Sequence, residues 1–174
     1  MSPSVHNQTH SDTLGSLSQL KDAALMTQFS IIVQKEREAI ADVIMHLAEI
    51  GRRRLYLKEA YSSLFSYLVE KHRYSRSAAY RRIQTTKLTL RCPEVIPYLK
   101  SGELNLTTVS LLEPYIKGEK NKSLLVECLN KSKQEVEDLL TERYGKEIKV
   151  FEKIRRLPVK RVRNDRFKGP EETE

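Results

Sequence analysis

The chain has no tryptophan, only two cysteines, and six glycines and six prolines among 174 residues. Two cysteines cannot staple a small secreted scaffold. Cys92 and Cys128 lie far apart and outside any CxxC or Cys/His cluster, so the expectation is two buried thiols in a reducing cytoplasm. Glycine and proline are too scarce for a fibrous or linker-rich chain. No apolar run approaches the ~18 residues of a membrane span, so no membrane partner is expected. The first residues, MSPSVHNQTHSDTLGS, lack a basic start and an apolar centre and do not read as a signal peptide. They read as a disordered tail over residues 1–16.

Catalytic chemistry is lacking too. His6 and His10 fall in that tail, His46 lies among Met45 and Leu47, and His72 closes a helix. No histidine stands at ligand spacing from a carboxylate or cysteine, so no metal and no cofactor is expected. The phosphate-cradling, dinucleotide and nucleophile-elbow motifs are missing. No nucleophile has a base beside it, and no catalytic residue is assigned.

What the chain does have is positive charge in two places. The net charge is +8. Residues 71–91 hold seven basic groups and no acidic one, and residues 153–168 hold eight against one. The rest is slightly acidic. Clustering of this kind points to a polyanion, most simply double-stranded DNA.

Almost every segment between these clusters has helical periodicity. Leu17–Gln28 reads as a short amphipathic helix, and Ile31–Arg53 as the longest, ending in Gly51 and the cations Arg52, Arg53 and Arg54. Those arginines fit equally a helix C-terminus and a phosphate site. A helix opened by Tyr61-Ser62-Ser63 follows and runs through His72, then the connection His72-Arg73-Tyr74, then a helix capped by Ser75. Two helices with so short a turn have helix-turn-helix spacing. Further helices are expected over Glu94–Ser101, Val109–Ile116 with its cap at Thr107, Glu119–Asn130, and from a Ser132/Glu135 capping box to Gly145. The fold class is therefore all-α: one compact multi-helix domain over residues 17–145, a disordered tail before it, and a basic, largely flexible tail over residues 146–174.

The helix after Ser75 carries the functional expectation. Ala79, Ile83, Thr86 and Leu90 recur at helical spacing and are expected to face the core. The opposite face would then carry Ser77, Arg81, Gln84 and Thr85, flanked by Arg76, Tyr80 and Arg82, with Lys87 further along. Arginine, serine, tyrosine and glutamine on one helix face suit a DNA major groove. Arg155, Arg156, Lys160, Arg161 and Arg163 would lie on phosphates as a basic arm. The plainer alternatives are a cationic surface helix and a solvated tail. The alternative function is a regulatory, protein-interaction helical bundle whose basic tail binds an acidic partner. Oligomeric state is open, a homodimer included.

Several stretches also resemble a known family. In order they are Lys35-Glu36-Arg37-Glu38, Leu47-Ala48-Glu49, Arg53-Arg54-Leu55-Tyr56-Leu57, Tyr61-Ser62-Ser63-Leu64-Phe65, Tyr74-Ser75, Ala78-Ala79-Tyr80-Arg81-Arg82-Ile83-Gln84, Pro93-Glu94-Val95, Ser101-Gly102, Ser132-Lys133 and Arg155-Arg156-Leu157-Pro158. Together they resemble the N-terminal helical region of bacterial HNH endonuclease-like proteins, from about Leu20 to Pro158. The resemblance implies a DNA-associated helical module. In that family a nuclease domain with metal-binding histidines follows; nothing in this chain matches it, so no catalytic residue carries over. Ser101-Gly102-Glu103-Leu104-Asn105-Leu106 also looks like the helical DNA-binding region of chromosome-partition B proteins, over a shorter span.

Overall fold

The computed structural model describes residues 15–117 and 121–145. The arm residues Arg155, Arg156, Lys160, Arg161 and Arg163, with both expected tails apart from residues 15 and 16, lie outside them. The fold is all-α: no strand forms among the described residues. Nor is any described helix long and apolar enough to cross a membrane.

After a helical turn at residues 15–18, α1 runs unbroken over Asp22–Arg52. The sequence suggested two helices, divided near Ser30. With no proline or glycine there, nothing interrupts the ladder. Thr27 and Ser30 instead donate their hydroxyls to the carbonyls of Ala23 and Met26 within the same helix. Only the second half of α1 is buried, at Ala41, Ile44 and Leu47. Gly51 lies inside α1; the left-handed residue that follows it is Arg54, with φ 52°. The turn α2 (Leu55–Lys58) leads to Ser63.

Ser63 and Ser66 cap each other reciprocally and open α3 (Leu64–Ser66). α3 continues as a π-helical turn over Tyr67–Lys71 that buries Tyr67 and Leu68. Ser75 accepts from the Ala78 N–H and starts α4 (Arg76–Arg91). α5 (Val95–Ser101) ends at Gly102, whose φ is 85° and whose missing Cβ leaves room for the Arg37 guanidinium. The cap of α6 (Leu106–Leu112) is Asn105, two residues before the expected Thr107. Its amide oxygen accepts from Thr107 and Thr108 N–H groups at 2.9 and 3.1 Å. α6 stops before Pro114, which has no N–H to continue the ladder, while Glu113 ahead of it keeps helical dihedrals. α7 (Ser123–Glu127) is short, and α8 (Lys133–Tyr144) begins at the expected Ser132/Glu135 capping box.

α4 is the axis of the fold and packs against α1, α3, α5 and α6. The larger core joins Ala41, Ile44, Leu88, Cys92, Val95, Val109, Leu112, Leu124, Cys128, Val136 and Leu140. A smaller one joins Leu47, Leu68 and Ala79 under Phe65 and Tyr74. Both cysteines are buried and no disulfide joins them; burial raises the Cys128 thiol pKa.

The central helix buries polar groups. Thr85, Thr86 and Thr89 all sit in the interior. Thr86 donates its hydroxyl to the Arg82 carbonyl at 2.8 Å, but the buried hydroxyls of Thr85 and Thr89 have no partner. A buried hydroxyl without a hydrogen bond costs about 1–3 kcal/mol. Thr85→Val keeps the shape and removes that cost, so it is expected to stabilise the domain by roughly 1 kcal/mol in urea unfolding. A loss of stability would show that the hydroxyl is bonded in solution.

Candidate nucleic-acid interface

The sequence placed Gln84 and Thr85 outward and Leu90 inward; the structure reverses all three. Gln84 and Thr85 are buried, while Leu90 is 61% exposed. Ala79 and Thr86 are buried as expected, and Ile83 is half-buried. The cause is packing on more than one side. α1 and α6 both press on α4, so its buried arc passes through the threonines rather than the evenly spaced aliphatic residues. Of these threonines only Thr86 returns its hydroxyl to its own helix and offers the core a methyl group; Thr85, the one misplaced, is buried with its hydroxyl unbonded among the described residues.

Gln84 therefore cannot reach a groove. It donates from its amide to the Tyr80 hydroxyl at 3.0 Å, within α4. Tyr80 is half-buried and held by this bond.

The other expected residues sit at or near the surface. Arg76 and Ser77 are exposed in the first turn of α4, and Lys87 is exposed about three turns later. Arg76 lies over the Phe65 ring, 5.1 Å from its centroid. Arg81 is half-buried, and among the described residues it makes no ion pair, not even with Glu70. Arg82 is more committed: its guanidinium stacks 4.2 Å from the Tyr74 centroid and donates to the Ala78 carbonyl. Its Nε is buried without a partner. Arg82 thus supports the turn as much as it faces solvent.

Elsewhere several cations are paired, although Lys21, Lys35, Arg37, Arg54, Lys58, Lys117 and Lys131 have no carboxylate among the described residues. Lys71 pairs with Glu59 and Arg91 with Glu113; Lys122 pairs with Glu94 and Arg143 with Glu127. Arg52 and Arg53 both bind Glu49, and those hydrogen bonds, Arg52 first, hold the Glu49 carboxyl at about 2. This engages two of the three arginines at the end of α1 within their own helix. By contrast Arg73, Arg76, Arg81, Arg82 and Lys87 have no carboxylate partner among the described residues. Arg73, exposed with φ 58° in the turn before α4, belongs with them and was not singled out from the sequence. Its signal was there, one position beyond His72 in the same basic stretch.

Arg76 is also at the electrostatically wrong end of its helix. The first turn of α4 contains no acidic residue. A cation there opposes the helix dipole, at a cost of about 0.3–1 kcal/mol. Contact with Phe65 offsets part of this. The result is an end of α4 that attracts anions through both side chain and backbone.

Among the described residues no three His, Cys, Asp or Glu side chains gather to hold a metal. Comparison with known proteins adds no name: no family model, curated protein or solved structure matches this chain.

Proposed function

We propose that this chain is a DNA-binding helical module in which α3 and its π-turn support α4 in helix-turn-helix fashion. The observation that carries the reading is the group of five cations, Arg73 to Lys87, left without carboxylates on α4 and the turn before it. Five cations close together in sequence with no carboxylate make a surface that an anion can complete, and phosphates meet a row of arginines well. The basic residues 153–168 would add contacts that do not depend on sequence. The likeness to the helical region of HNH endonuclease-like proteins supports the same reading. Proteins of that family cut DNA through a separate domain, so the role proposed for the described residues is binding.

Within this reading the contacts divide. Arg73, Arg76 and Lys87 are fully exposed and suit phosphates. Arg81, beside Ser77, suits a base edge, where a bidentate pair to guanine gives ~1–3 kcal/mol of discrimination. Arg81→Ala is expected to weaken binding to a site selected from random duplexes roughly tenfold or more, and to weaken a scrambled duplex less. Thermal stability, recorded alongside, should change little. Equal loss on both duplexes would make Arg81 a backbone contact. No loss on either would remove α4 from the interface and favour an acidic protein as the partner.

A further inference from the structure

α1 begins well before the bundle does. Every residue from Lys21 to Ile32 is exposed. The bundle takes hold only afterwards, where Gln34 donates to the Lys100 carbonyl at 3.2 Å and Arg37 to the Ser101 carbonyl at 3.0 Å. About 16 Å of bare helix therefore projects from the domain. It carries Leu25, Met26, Phe29, Ile31 and Ile32, between 41% and 67% exposed. Leu25, Phe29 and Ile32 are spaced i, i+4, i+7 and form one stripe. Three turns of unsupported helix are marginal in water unless their apolar face is covered.

We infer that this stripe is a homodimer interface, formed by antiparallel packing of the first half of α1 against the same segment of a second copy. The inference stands apart from DNA binding. Charge is the first ground. Residues 21–38 carry Lys21, Lys35 and Arg37 against Asp22, Glu36 and Glu38, so the segment is neutral, with both signs at one end and both at the other. Laid antiparallel, Lys21 and Asp22 of one copy meet Lys35 and Glu36 of the other and find opposite charges, Arg37 being turned to the Ser101 carbonyl of its own bundle. Laid parallel, like charges align. Antiparallel packing also opposes the two helix dipoles and sets the two bundles at opposite ends. A two-fold contact of this type needs only one self-complementary surface.

Other occupants fit less well. A helix lying on a bilayer has a cationic polar face and aromatic anchors. Here the polar positions are Thr27, Gln28, Ser30 and Gln34, and the chain has no tryptophan. Residues 1–14 offer only Met1, Val5 and Leu14 as large apolar groups, too few to cover five. Residues 146–174 carry ten basic and six acidic groups, a net charge that a neutral face does not attract.

Sedimentation equilibrium on the full chain tests this. An interface of this size is at the small end of specific contacts, so a dimer with Kd of about 10–100 μM is expected. Phe29→Glu with Ile32→Glu should weaken it at least about a hundredfold, leaving a monomer whose helical circular dichroism falls by no more than the bare turns of α1 contribute. Val126→Glu, at an exposed apolar residue on α7, should leave the dimer intact. A wild-type chain still monomeric at about 500 μM, or a dimer that survives the double substitution, would overturn the inference. Spin labels at position 22 give a second reading: about 20 Å apart if antiparallel. Labels in near contact would overturn the arrangement.

Discussion

Changing Arg73, Arg76 and Lys87 together to glutamate should cut affinity for duplex DNA several hundredfold at about 0.1 M salt, with the thermal midpoint almost unmoved. The magnitude follows from counterion release. Each lost phosphate contact removes a slope of about 0.9 in log affinity against log salt, so three contacts remove roughly 2.7 log units at that concentration. Stability should hold because all three side chains are at least partly exposed and none is paired with a carboxylate among the described residues. Arg76→Glu alone puts an acid into the first turn of α4, where the dipole favours it. A cation kept at an end where its opposite is more stable is being kept for something other than folding. Arg91→Glu is the control. It breaks the 2.7 Å pair with Glu113 and places two carboxylates together, so it should lower the midpoint while leaving the DNA slope alone. Titrations at several salt concentrations, with thermal melts beside them, separate the two effects. If the triple variant bound DNA as tightly as the original, α4 would not be the binding helix.

The sequence was a good guide to where α4 and α8 begin and a poor one to which way the central helix faces. The caps Ser75 and Ser132 are local features: a hydroxyl reaches an N–H three residues away, and no tertiary contact is needed. Gly102 and Gly145 mark the ends of α5 and α8 for a similar reason, at φ 85° and 74°. The facing of α4 is not local. It depends on α1 and α6, which approach from sequence positions far to either side. A one-sided helix shows its buried face as a stripe of aliphatic residues. α4 instead buries Gln84, Thr85, Thr86 and Thr89 with Ala79 and Leu88, and no simple stripe describes that set. The same reasoning explains the candidate interface. That Arg76 and Lys87 reach the surface was legible because a run of basic residues without acids has to be solvated in any fold. Gln84 was misplaced because its surroundings are tertiary. The split of α1 at Ser30 failed for the opposite reason: its first half has no bundle to pack on, so its apolar stripe shifts in phase and looks like another helix.

That phase difference gives the most demanding test of the fold. Leu88→Ala is expected to destabilise the domain by about 3 kcal/mol, and Leu90→Ala by less than about 0.5 kcal/mol. The two leucines are two positions apart on the same helix, so propensity and chemistry change alike. Only their surroundings differ. Leu88 is fully buried in the larger core with Ala41, Cys92, Val109 and Leu112, where removing its methyl groups leaves a cavity among side chains fixed on several helices. Leu90 is 61% exposed, and truncation there removes mainly solvent-facing surface. For a domain of this size, 3 kcal/mol corresponds to a fall in Tm of roughly 10 °C or more. Urea unfolding of both variants measures the difference directly. If Leu90→Ala were the costly change and Leu88→Ala the mild one, α4 would be turned as its aliphatic spacing alone suggests. Gln84 would then return to the outer face beside Arg81, and Thr85 with it.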